Sequence, residues 1–380
     1  MKDKTFHTFN VAVLSFSHFV HDIYTSIFPP LLPLIIEKLS LSLGQAGMLS
    51  TMLQLPSVLN PVMGVFVDRK RLERWIVVLA PSMTAIPMCL IGVTSSYYML
   101  LVLLFVAGTS VALYHVPTPV LIAQASGSKK GRGMSLYMTG GESARALGPV
   151  IAVGLISLLS LETFYPVALL AIFTSILLYF TLPPIEKREK KDKKVTIFSV
   201  FQEIKHILFP VSGIIITRSF MHTSMGIFLP VFIKHQTGNI YLAGAGLALY
   251  ETFGIAGVLC SGTLSDLLGR KKVLFIALLI APLGMIAFVL TSGFVQVVML
   301  AVSGFTIIAV TPVLLTIIQE NAKGNPASAN GLFMMVAFFS RGIIITVVGF
   351  FGDIIGLEYT YITCGVIGFA ALPFLLKLKE

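Results

Sequence analysis

Long apolar runs without a single charged residue constrain this chain more than any other feature. Residues 76–93, 99–125, 164–182 and 273–290 contain no Lys, Arg, Asp or Glu. Each run is close to or above the ~20 residues that an α-helix needs to cross a hydrocarbon core about 30 Å thick. Because a backbone in lipid must satisfy its own hydrogen bonds, we expect these runs to be membrane-spanning helices.

Composition supports a surface that is mostly covered by lipid. Hydrophobic residues make up 56% of the 380 residues and charged residues only 12%, whereas a soluble domain carries roughly 25% charged residues. The net charge of +10 would suit a nucleic-acid-binding protein. The basic residues, however, cluster between apolar runs, as they do in the cytoplasmic loops of membrane proteins. We therefore expect a lipid bilayer, and no nucleic acid, as the partner of this surface.

The hydropathy pattern predicts an all-α integral membrane protein with twelve transmembrane helices. A polar, basic stretch at 183–206 divides the chain into an N-terminal six-helix bundle, residues 1–182, and a C-terminal six-helix bundle, residues 207–380. The predicted spans are 8–36, 44–67, 75–93, 97–124, 134–158, 163–182, 207–233, 243–267, 273–291, 294–318, 328–352 and 357–376.

The basic residues also predict an orientation. Of the 27 Lys and Arg residues, all but five lie in the termini and in alternate loops. The five exceptions are Lys38 and Lys234 in the opposite loops and Arg145, Arg218 and Arg341 within spans. The positive-inside rule then places both termini and the linker 183–206 in the cytoplasm. We expect a multi-pass protein of the cell (inner) membrane.

The two halves share motifs in the same order, which indicates an internal repeat. Two parallel six-helix halves around a central site are typical of alternating-access transporters. The recurring pairs are Gly64-x-x-x-Asp68 with Gly262-x-x-x-Asp266, His21 and Pro29 with His222 and Pro230, Thr118-Pro119 with Thr311-Pro312, and Arg145 with Arg341.

One of these motifs resembles the signature loop of the major facilitator superfamily. It reads Gly262-Thr-Leu-Ser-Asp266-Leu-Leu-Gly269-Arg270-Lys271-Lys272, and the first-half copy keeps Gly64, Asp68 and Arg69. The resemblance implies two pseudo-symmetric six-helix bundles whose loops hold one closed conformation. In these loops we expect the first glycine to allow close helix approach and the aspartate to cap or ion-pair with helix ends. A purely structural role at the helix ends is the alternative.

Three first-half segments resemble the fosmidomycin-resistance-type exporters. They are His18-Phe-Val-His-Asp22, Tyr114-His115-Val-Pro117 and the run from Gly140 through Glu142 and Arg145 to Gly148-Pro149. The third segment also resembles the small-residue motif in the fifth span of antiporters, where Gly140, Gly148 and Pro149 would give close packing and a bend. Val116 between His115 and Pro117 departs from the family pattern, as do the charges of Glu142 and Arg145. The resemblance therefore implies export but leaves the substrate open.

Ionisable side chains inside spans are costly and are functional-site hypotheses by default. They fall only on the spans that line the cavity in the superfamily. We expect His18 to be structural. We predict proton coupling by Asp22, Glu142, Glu251, His21 and His115, and substrate binding by Arg145, Arg218, His222 and Arg341.

Simpler roles remain open for these residues. Asp22 can form a permanent ion pair, Arg145 can neutralise Glu142 three residues earlier, and the three intramembrane arginines can balance the three carboxylates. A metal site is a further alternative, although hydrogen bonding is more common for isolated histidines, so we expect no bound metal. Its ligands would be His21, Asp22, His115 and His222.

These observations predict a secondary active transporter and not an enzyme. We expect a monomeric, proton-coupled antiporter that exports a small drug-like compound of anionic or amphiphilic character, with the proton gradient as driving force and no cofactor. A proton symporter for uptake of an organic anion is the alternative, and a membrane receptor or sensor is the non-transport alternative. The chain has no Gly-Lys-Ser/Thr phosphate loop and no His-Glu-x-x-His motif, which argues against an ATP-driven pump and a metalloprotease.

Overall fold

The structure, a computed structural model, describes residues 5–60, 63, 72–115, 117–127, 130–182, 197–322 and 326–378. Within these ranges every regular element is a helix, so the predicted all-α fold is confirmed. Gly64, Asp68, Arg69 and the side chain of Asp266 lie outside the described part of the chain.

Contacts between residues divide the chain into two compact units. The first unit comprises Met1–Ser40 and Met52–Glu189, and the second comprises Leu41–Thr51 and Lys190–Glu380. The units differ from the predicted halves at the start of the second predicted span. Leu41–Thr51 belongs to the second unit, although it precedes the linker, and the chain returns to the first unit at Met52.

The helices up to residue 182 include several short segments. In chain order they are α1 (Thr8–Ser26), α2 (Phe28–Leu39), α3 (Leu43–Gln54), α4 (Glu73–Leu90), α5 (Tyr97–His115), α6 (Thr118–Ala125), α7 (Lys130–Leu159) and α8 (Ala168–Thr181), with 3₁₀ turns at Leu55–Leu59 and Tyr165–Val167.

The helices after residue 196 are longer. They are α9 (Ile197–Thr223), α10 (Leu229–Thr237), α11 (Ile240–Leu268), α12 (Arg270–Leu290), α13 (Gly293–Asn321), α14 (Pro326–Phe369) and α15 (Ala371–Leu376), with a π-helical turn at Ser224–Phe228. Helix α14 is broken at Gly356, whose φ of 77° and ψ of 161° are not helical, and this break separates the predicted spans 328–352 and 357–376.

Eight stretches of the described chain are long and apolar enough to cross a membrane, and the apolar helix Tyr165–Thr181 is shorter. Some of these stretches hold more than one segment. The eight are Thr8–Leu39, Tyr97–His115, Leu136–Leu159, Phe198–Thr237, Ile240–Gly262, Arg270–Leu290, Gly293–Ile318 and Gly331–Leu376.

Both units interrupt their first helix at the same place in the repeat. In the first unit α1 ends at Ser26, and α2 begins just before Pro29. In the second unit the π-helical turn Ser224–Phe228 directly precedes α10, whose second residue is Pro230. Proline lacks an N–H and cannot continue the backbone ladder. The recurring His–Pro spacing in the sequence therefore marks a recurring break in regular α-helix.

Besides the divided first span, two other predicted spans differ from the observed helices. The predicted span 97–124 is divided, because α5 ends at His115 and α6 begins at Thr118. Its repeat partner α13 is continuous through Pro312, and the first half carries the additional Pro117 at the break. The predicted span 207–233 lies within a longer stretch, since α9 already begins at Ile197.

Each unit has its own apolar core built from equivalent helix pairs. Helix α1 packs along α7 in the first unit, and α9 packs along α14 in the second. The first core includes Val11, Leu14 and Leu178, and the second includes Ile214 and Phe333. These pairs hold α1 and α9, which carry most of the predicted intramembrane histidines.

Candidate functional site

The first candidate site surrounds Asp22 on α1. His18, His21 and Asp22 are spaced i, i+3, i+4, so they share one helix face, and all three are buried. Oδ1 of Asp22 lies 2.9 Å from Nδ1 of His21 and 3.6 Å from Nε2 of His115 on α5. Oδ2 lies 3.2 Å from Nε2 of His18. Three imidazoles therefore surround one carboxyl group.

A chain of hydrogen bonds runs from His21 through Thr84 and Ser110 to the carbonyl of Ala80, and it bears on the protonation of His21. Ser110 donates its single hydroxyl proton to the carbonyl of Ala80 (3.1 Å), and Thr84 donates to Ser110 (2.9 Å). With these directions Thr84 offers an acceptor to Nε2 of His21 at 3.0 Å, an arrangement that favours a proton on Nε2. The contact between Nδ1 of His21 and Asp22 needs another proton. With a proton on Nε2, the His21–Asp22 pair would hold one proton more than a neutral imidazole beside a carboxylate.

His18 and His115 are oriented by backbone carbonyls. Nδ1 of His18 donates to the carbonyl of Tyr137 at 2.8 Å, and Nδ1 of His115 donates to the carbonyl of Val111 at 2.9 Å. A carbonyl can only accept, so both Nδ1 atoms are protonated and, in the neutral rings, both Nε2 atoms carry lone pairs. These Nε2 atoms lie 3.3 Å apart beside Asp22. The gap between them favours a positively charged occupant.

Two tyrosines hold the histidine rings by stacking. The ring of His18 lies 4.0 Å from that of Tyr137 with an interplanar angle of 11°, and the ring of His21 lies 4.2 Å from that of Tyr114 at 14°. The Tyr114 hydroxyl is 3.0 Å from Oγ of Ser17. Stacking on an electron-rich face also favours an imidazolium over a neutral ring.

Gly141 on α7 provides the space for this cluster. A methyl group at Gly141 would lie 2.5 Å from Cε1 and 2.7 Å from Nε2 of His18, and 3.1 Å from Oδ2 of Asp22. Real Cβ atoms do not approach other atoms so closely. The second glycine of the Gly140-Gly141 pair is therefore needed to admit the His18 ring.

The predicted packing residues of α7 lie where that helix approaches α1. A methyl group at Gly140 would lie 2.3 Å from the carbonyl oxygen of Ser15, and one at Gly148 would lie 2.5 Å from Cβ of Ser26. Pro149 is buried within α7. The small residues thus set how closely α7 approaches the helix that carries Asp22.

Glu142 and Arg145 form an ion pair within α7. The Glu142 side chain is mostly buried and the Arg145 side chain is about half exposed. This arrangement corresponds to the simpler of the two roles considered for Glu142, and it commits part of the Arg145 guanidinium to a carboxylate.

The second candidate site surrounds Arg218 on α9. Its side chain is buried, with 8% of the residue exposed, and its Nη1 donates to Oγ1 of Thr311 on α13 at 2.8 Å. Its buried Nε has no hydrogen-bond partner among the described residues. Within the described ranges no carboxylate forms an ion pair with it.

The other predicted residues of the second unit lie on three helices. Nδ1 of His222, one turn after Arg218, is 3.3 Å from the Tyr250 hydroxyl. Arg341 on α14 is half-buried, and a methyl group at Gly226 would lie 3.9 Å from its Nη2. Glu251 follows Tyr250 on α11 and is half-buried. His222 belongs to the second unit.

Arg270, in the predicted gating loop of the second unit, forms a bidentate ion pair with Glu320 on α13. Nε and Nη2 of Arg270 lie 2.9 Å and 2.5 Å from the two carboxylate oxygens of Glu320, and Nη1 lies 3.1 Å from Oγ of Ser265. Gly269 has a φ of +91°, a conformation that glycine adopts readily. A methyl group at Gly262 would meet no described atom within 4 Å, and close helix approach at Gly262 stays a prediction.

Asp353 is a further charged residue with a defined contact. Its carboxylate accepts hydrogen bonds from the backbone N–H groups of Leu43 (2.6 Å) and Gly44 (2.7 Å) at the start of α3. These residues all belong to the second unit. Thr51 extends the contact, since it donates to the carbonyl of Gly342 at 2.6 Å. A carboxylate at a helix N-terminus caps its free N–H groups and complements the helix dipole.

An apolar pocket of about 500 Å³ lies on α11, α12 and α13. Its lining includes Phe253, Val273, Ile280 and Phe305, and none of the predicted proton-coupling or substrate residues lines it. It therefore adds nothing to the polar chemistry described above.

Sequence reasoning missed several members of these sites. Thr84, Ser110 and Tyr137 are uncharged and come from other helices, so no rule for intramembrane charge identifies them. The doubled glycine at 140–141 was a usable sequence signal for close helix approach. Tyr114, next to His115, was a usable signal for an aromatic contact with the histidine cluster. His18, assigned a structural role from sequence, contacts Asp22 directly.

Comparisons with known proteins agree with this architecture. The family model of the Major Facilitator Superfamily matches residues 14–345 and 212–380. The Fosmidomycin resistance protein of Escherichia coli (strain K12) is 26% identical, over 96% of this chain and 90% of its own length. The Multidrug resistance protein MdtG of Klebsiella pneumoniae (strain 342) is 24% identical, over 93% and 90% respectively.

Solved structures show the same fold. A bacterial homologue of the human lysosomal transporter Spinster, in an inward-facing and unoccupied conformation, matches with a TM-score of 0.84 and 15% identity over 99% of this chain and 97% of its own. The nucleoside transporter NupG matches with a TM-score of 0.80 and 15% identity over 99% and 100%. The chain is a membrane transporter, and it belongs to the major facilitator superfamily.

Proposed function

We propose that this transporter is a proton-coupled antiporter that exports a small compound by alternating access. The observation that carries the proposal is the buried contact between His21 and Asp22, and hydrogen bonding through Thr84 and Ser110 supports an extra proton shared by this pair. A buried pair that holds one proton in one state and can release it in another has the property that coupling requires.

The cost of burying charge supports the same assignment. Asp22 is 7% exposed on a helix that spans the membrane. An ionised carboxylate at bilayer depth is expensive unless a cation or proton accompanies it. Movement of the cluster toward water would lower this cost and release the proton, and this step links protonation to conformation.

The direction of transport is inferred from relatives and from the fifth predicted span. Two relatives carry names that refer to drug resistance, and α7 has close packing at Gly140 and Gly148 like that expected of antiporters. The clustering of basic loops supports a cell-membrane location with both termini in the cytoplasm. Export then means movement from the cytoplasm outward as protons move in.

The character of the substrate is inferred from Arg218. The buried Arg218 guanidinium donates to Thr311, and its Nε has no partner among the residues that the structure describes. Such a group suits an anionic or amphiphilic compound with one acidic group. The same observation favours a second candidate, a proton symporter that takes up an organic anion.

A growth screen followed by a flux assay tests these alternatives. Cells that express the protein are first exposed to anionic and neutral toxic compounds, including fosmidomycin because of the name of the Escherichia coli relative. The purified protein is then placed in liposomes loaded with the selected compound and a pH-sensitive dye. Efflux of the compound acidifies the lumen in an antiporter and makes it alkaline in a symporter. Efflux with no pH change would contradict proton coupling.

A further inference from the structure

The cluster around Asp22 has a second chemical capability besides holding a proton. One donor atom from each of His18, Asp22 and His115 lies within 4.8 Å of the other two. The closest separations are 3.3 Å between the two Nε2 atoms and 3.2 Å between Nε2 of His18 and Oδ2 of Asp22. Nε2 of His115 is 3.6 Å from Oδ1.

These separations match the edges of a metal coordination polyhedron. Ligand atoms at ~2.0–2.1 Å from a tetrahedral Zn²⁺ lie about 3.3–3.4 Å apart. The observed spacing therefore needs only small adjustments to bind a divalent cation. Histidines that donate to the Asp22 carboxylate give similar distances, so the metal is an alternative to protons on these rings.

The outer contacts of the two histidines are also those of metal ligands. A histidine that binds a metal through one ring nitrogen typically donates the other N–H to a carbonyl or carboxylate, which fixes the tautomer. His18 donates to Tyr137 and His115 donates to Val111, so Nε2 of each ring is available as a ligand. His21 lies beside the carboxyl group of Asp22 and would orient it as an outer partner.

We propose that His18, Asp22 and His115 form a binding site for a divalent transition-metal cation of the Zn²⁺ or Co²⁺ type. Three protein ligands leave a fourth position for water, and the His115 side chain, which is 36% exposed, marks the side from which the ion enters. The proposal rests on the cluster of the proposed function, because Asp22 both contacts His21, where the coupling proton is proposed, and supplies a ligand to the cation. It differs from the four-ligand site considered from sequence, since His18 replaces His21 and His222 is excluded.

The test is a titration of the purified full-length protein in detergent with Co²⁺ alone, followed by visible absorbance and then displacement by Zn²⁺. We expect one Co²⁺ per chain with the intense bands of a tetrahedral site. His115→Ala should weaken binding by about tenfold or more. His115→Cys, which keeps a ligand, should restore binding with a new sulfur-to-metal band. His235→Ala, which removes an exposed histidine, is the matched control and should bind as the parent does.

Binding that is equal in the parent and in His115→Ala would overturn the metal proposal, and so would the lack of any saturable Co²⁺ signal in the parent. A thermal unfolding curve for each variant separates lost binding from lost folding. If His115→Ala does not fold, the presence or absence of the sulfur-to-metal band in His115→Cys tests whether residue 115 is a ligand. The outcome is independent of the flux assay. Lumen pH changes without Co²⁺ binding would refute only the metal site, and Co²⁺ binding without pH changes would refute only proton coupling.

Discussion

Nδ1 of His21 lies 2.9 Å from Oδ1 of Asp22 in the interior of the first unit. The partners on the far side of the imidazole favour a proton on its other nitrogen. The contact therefore contains an ionisable proton whichever atom holds it. This relationship is the basis of the coupling mechanism that we propose.

Replacing Thr84 by Val tests the hydrogen-bond chain directly. The change removes the acceptor for Nε2 of His21 and leaves a buried N–H without a partner, which costs roughly 1–3 kcal/mol. We expect a lower thermal midpoint and a shifted pH dependence of transport. Thr109→Val on the same helix as Ser110 is the control, because its hydroxyl bonds only to the carbonyl of Phe105. An unchanged pH profile in Thr84→Val would contradict the proton count.

Gly141→Ala should disrupt the cluster through a single methyl group. The methyl would lie 2.5 Å from the His18 ring, so His18 or α7 must move, and we expect transport and Co²⁺ binding both to be lost. Gly154→Ala is the matched control on the same helix, since a methyl there meets no described atom within 4 Å. Helix propensity alone would make either change stabilising by about 1 kcal/mol. Equal activity in the two variants would show that the close contact is unimportant.

Arg218→Gln should weaken the transport of anionic compounds selectively. The loss of a charged hydrogen-bond donor, worth about 1.5–3 kcal/mol, predicts at least a tenfold rise in the half-saturation concentration of an anionic substrate. Arg218→Lys keeps the charge and should retain more of the function. The measurement is resistance to anionic and neutral compounds side by side. Equal losses for both classes would argue that Arg218 only supports the fold.

Asp353→Asn tests the cap at the start of α3. The amide keeps one acceptor oxygen but loses the charge that complements the helix N-terminus, so we expect a destabilisation of about 0.5–1 kcal/mol. A lower thermal midpoint in detergent would register it. Glu358→Gln, an exposed carboxylate five residues later, controls for the loss of charge. If the two variants unfold at the same temperature, the cap does not stabilise the helix.

Charge at membrane depth is visible in a sequence because it is rare and costly, and this is why Asp22 and His115 could be chosen from the sequence alone. Their uncharged partners could not be chosen in this way. Thr84 and Tyr137 are ordinary residues of spanning helices, and only packing brings them to the histidines. The same holds for Asp353, which lies at the end of a predicted span, where a carboxylate costs little. The roles of Gly64, Asp68 and Arg69 stay predictions, since those residues lie outside the described ranges.

The fold was more predictable than the site because it depends on apolar length and on an internal repeat. One clear difference arose at a proline, because Pro117 lies where the predicted span 97–124 is divided. Gly356 lies at the boundary that was predicted between spans 328–352 and 357–376. Local backbone chemistry, more than hydrophobicity, decided these boundaries.

Lumen pH during substrate efflux from liposomes tests the central claim most directly. With the parent protein, an outward gradient of the selected compound should acidify the lumen, and Glu358→Gln should behave in the same way. Asp22→Asn should abolish the pH change, even where exchange of labelled for unlabelled compound persists. Efflux without acidification in the parent protein, or equal acidification in Asp22→Asn, would contradict the account.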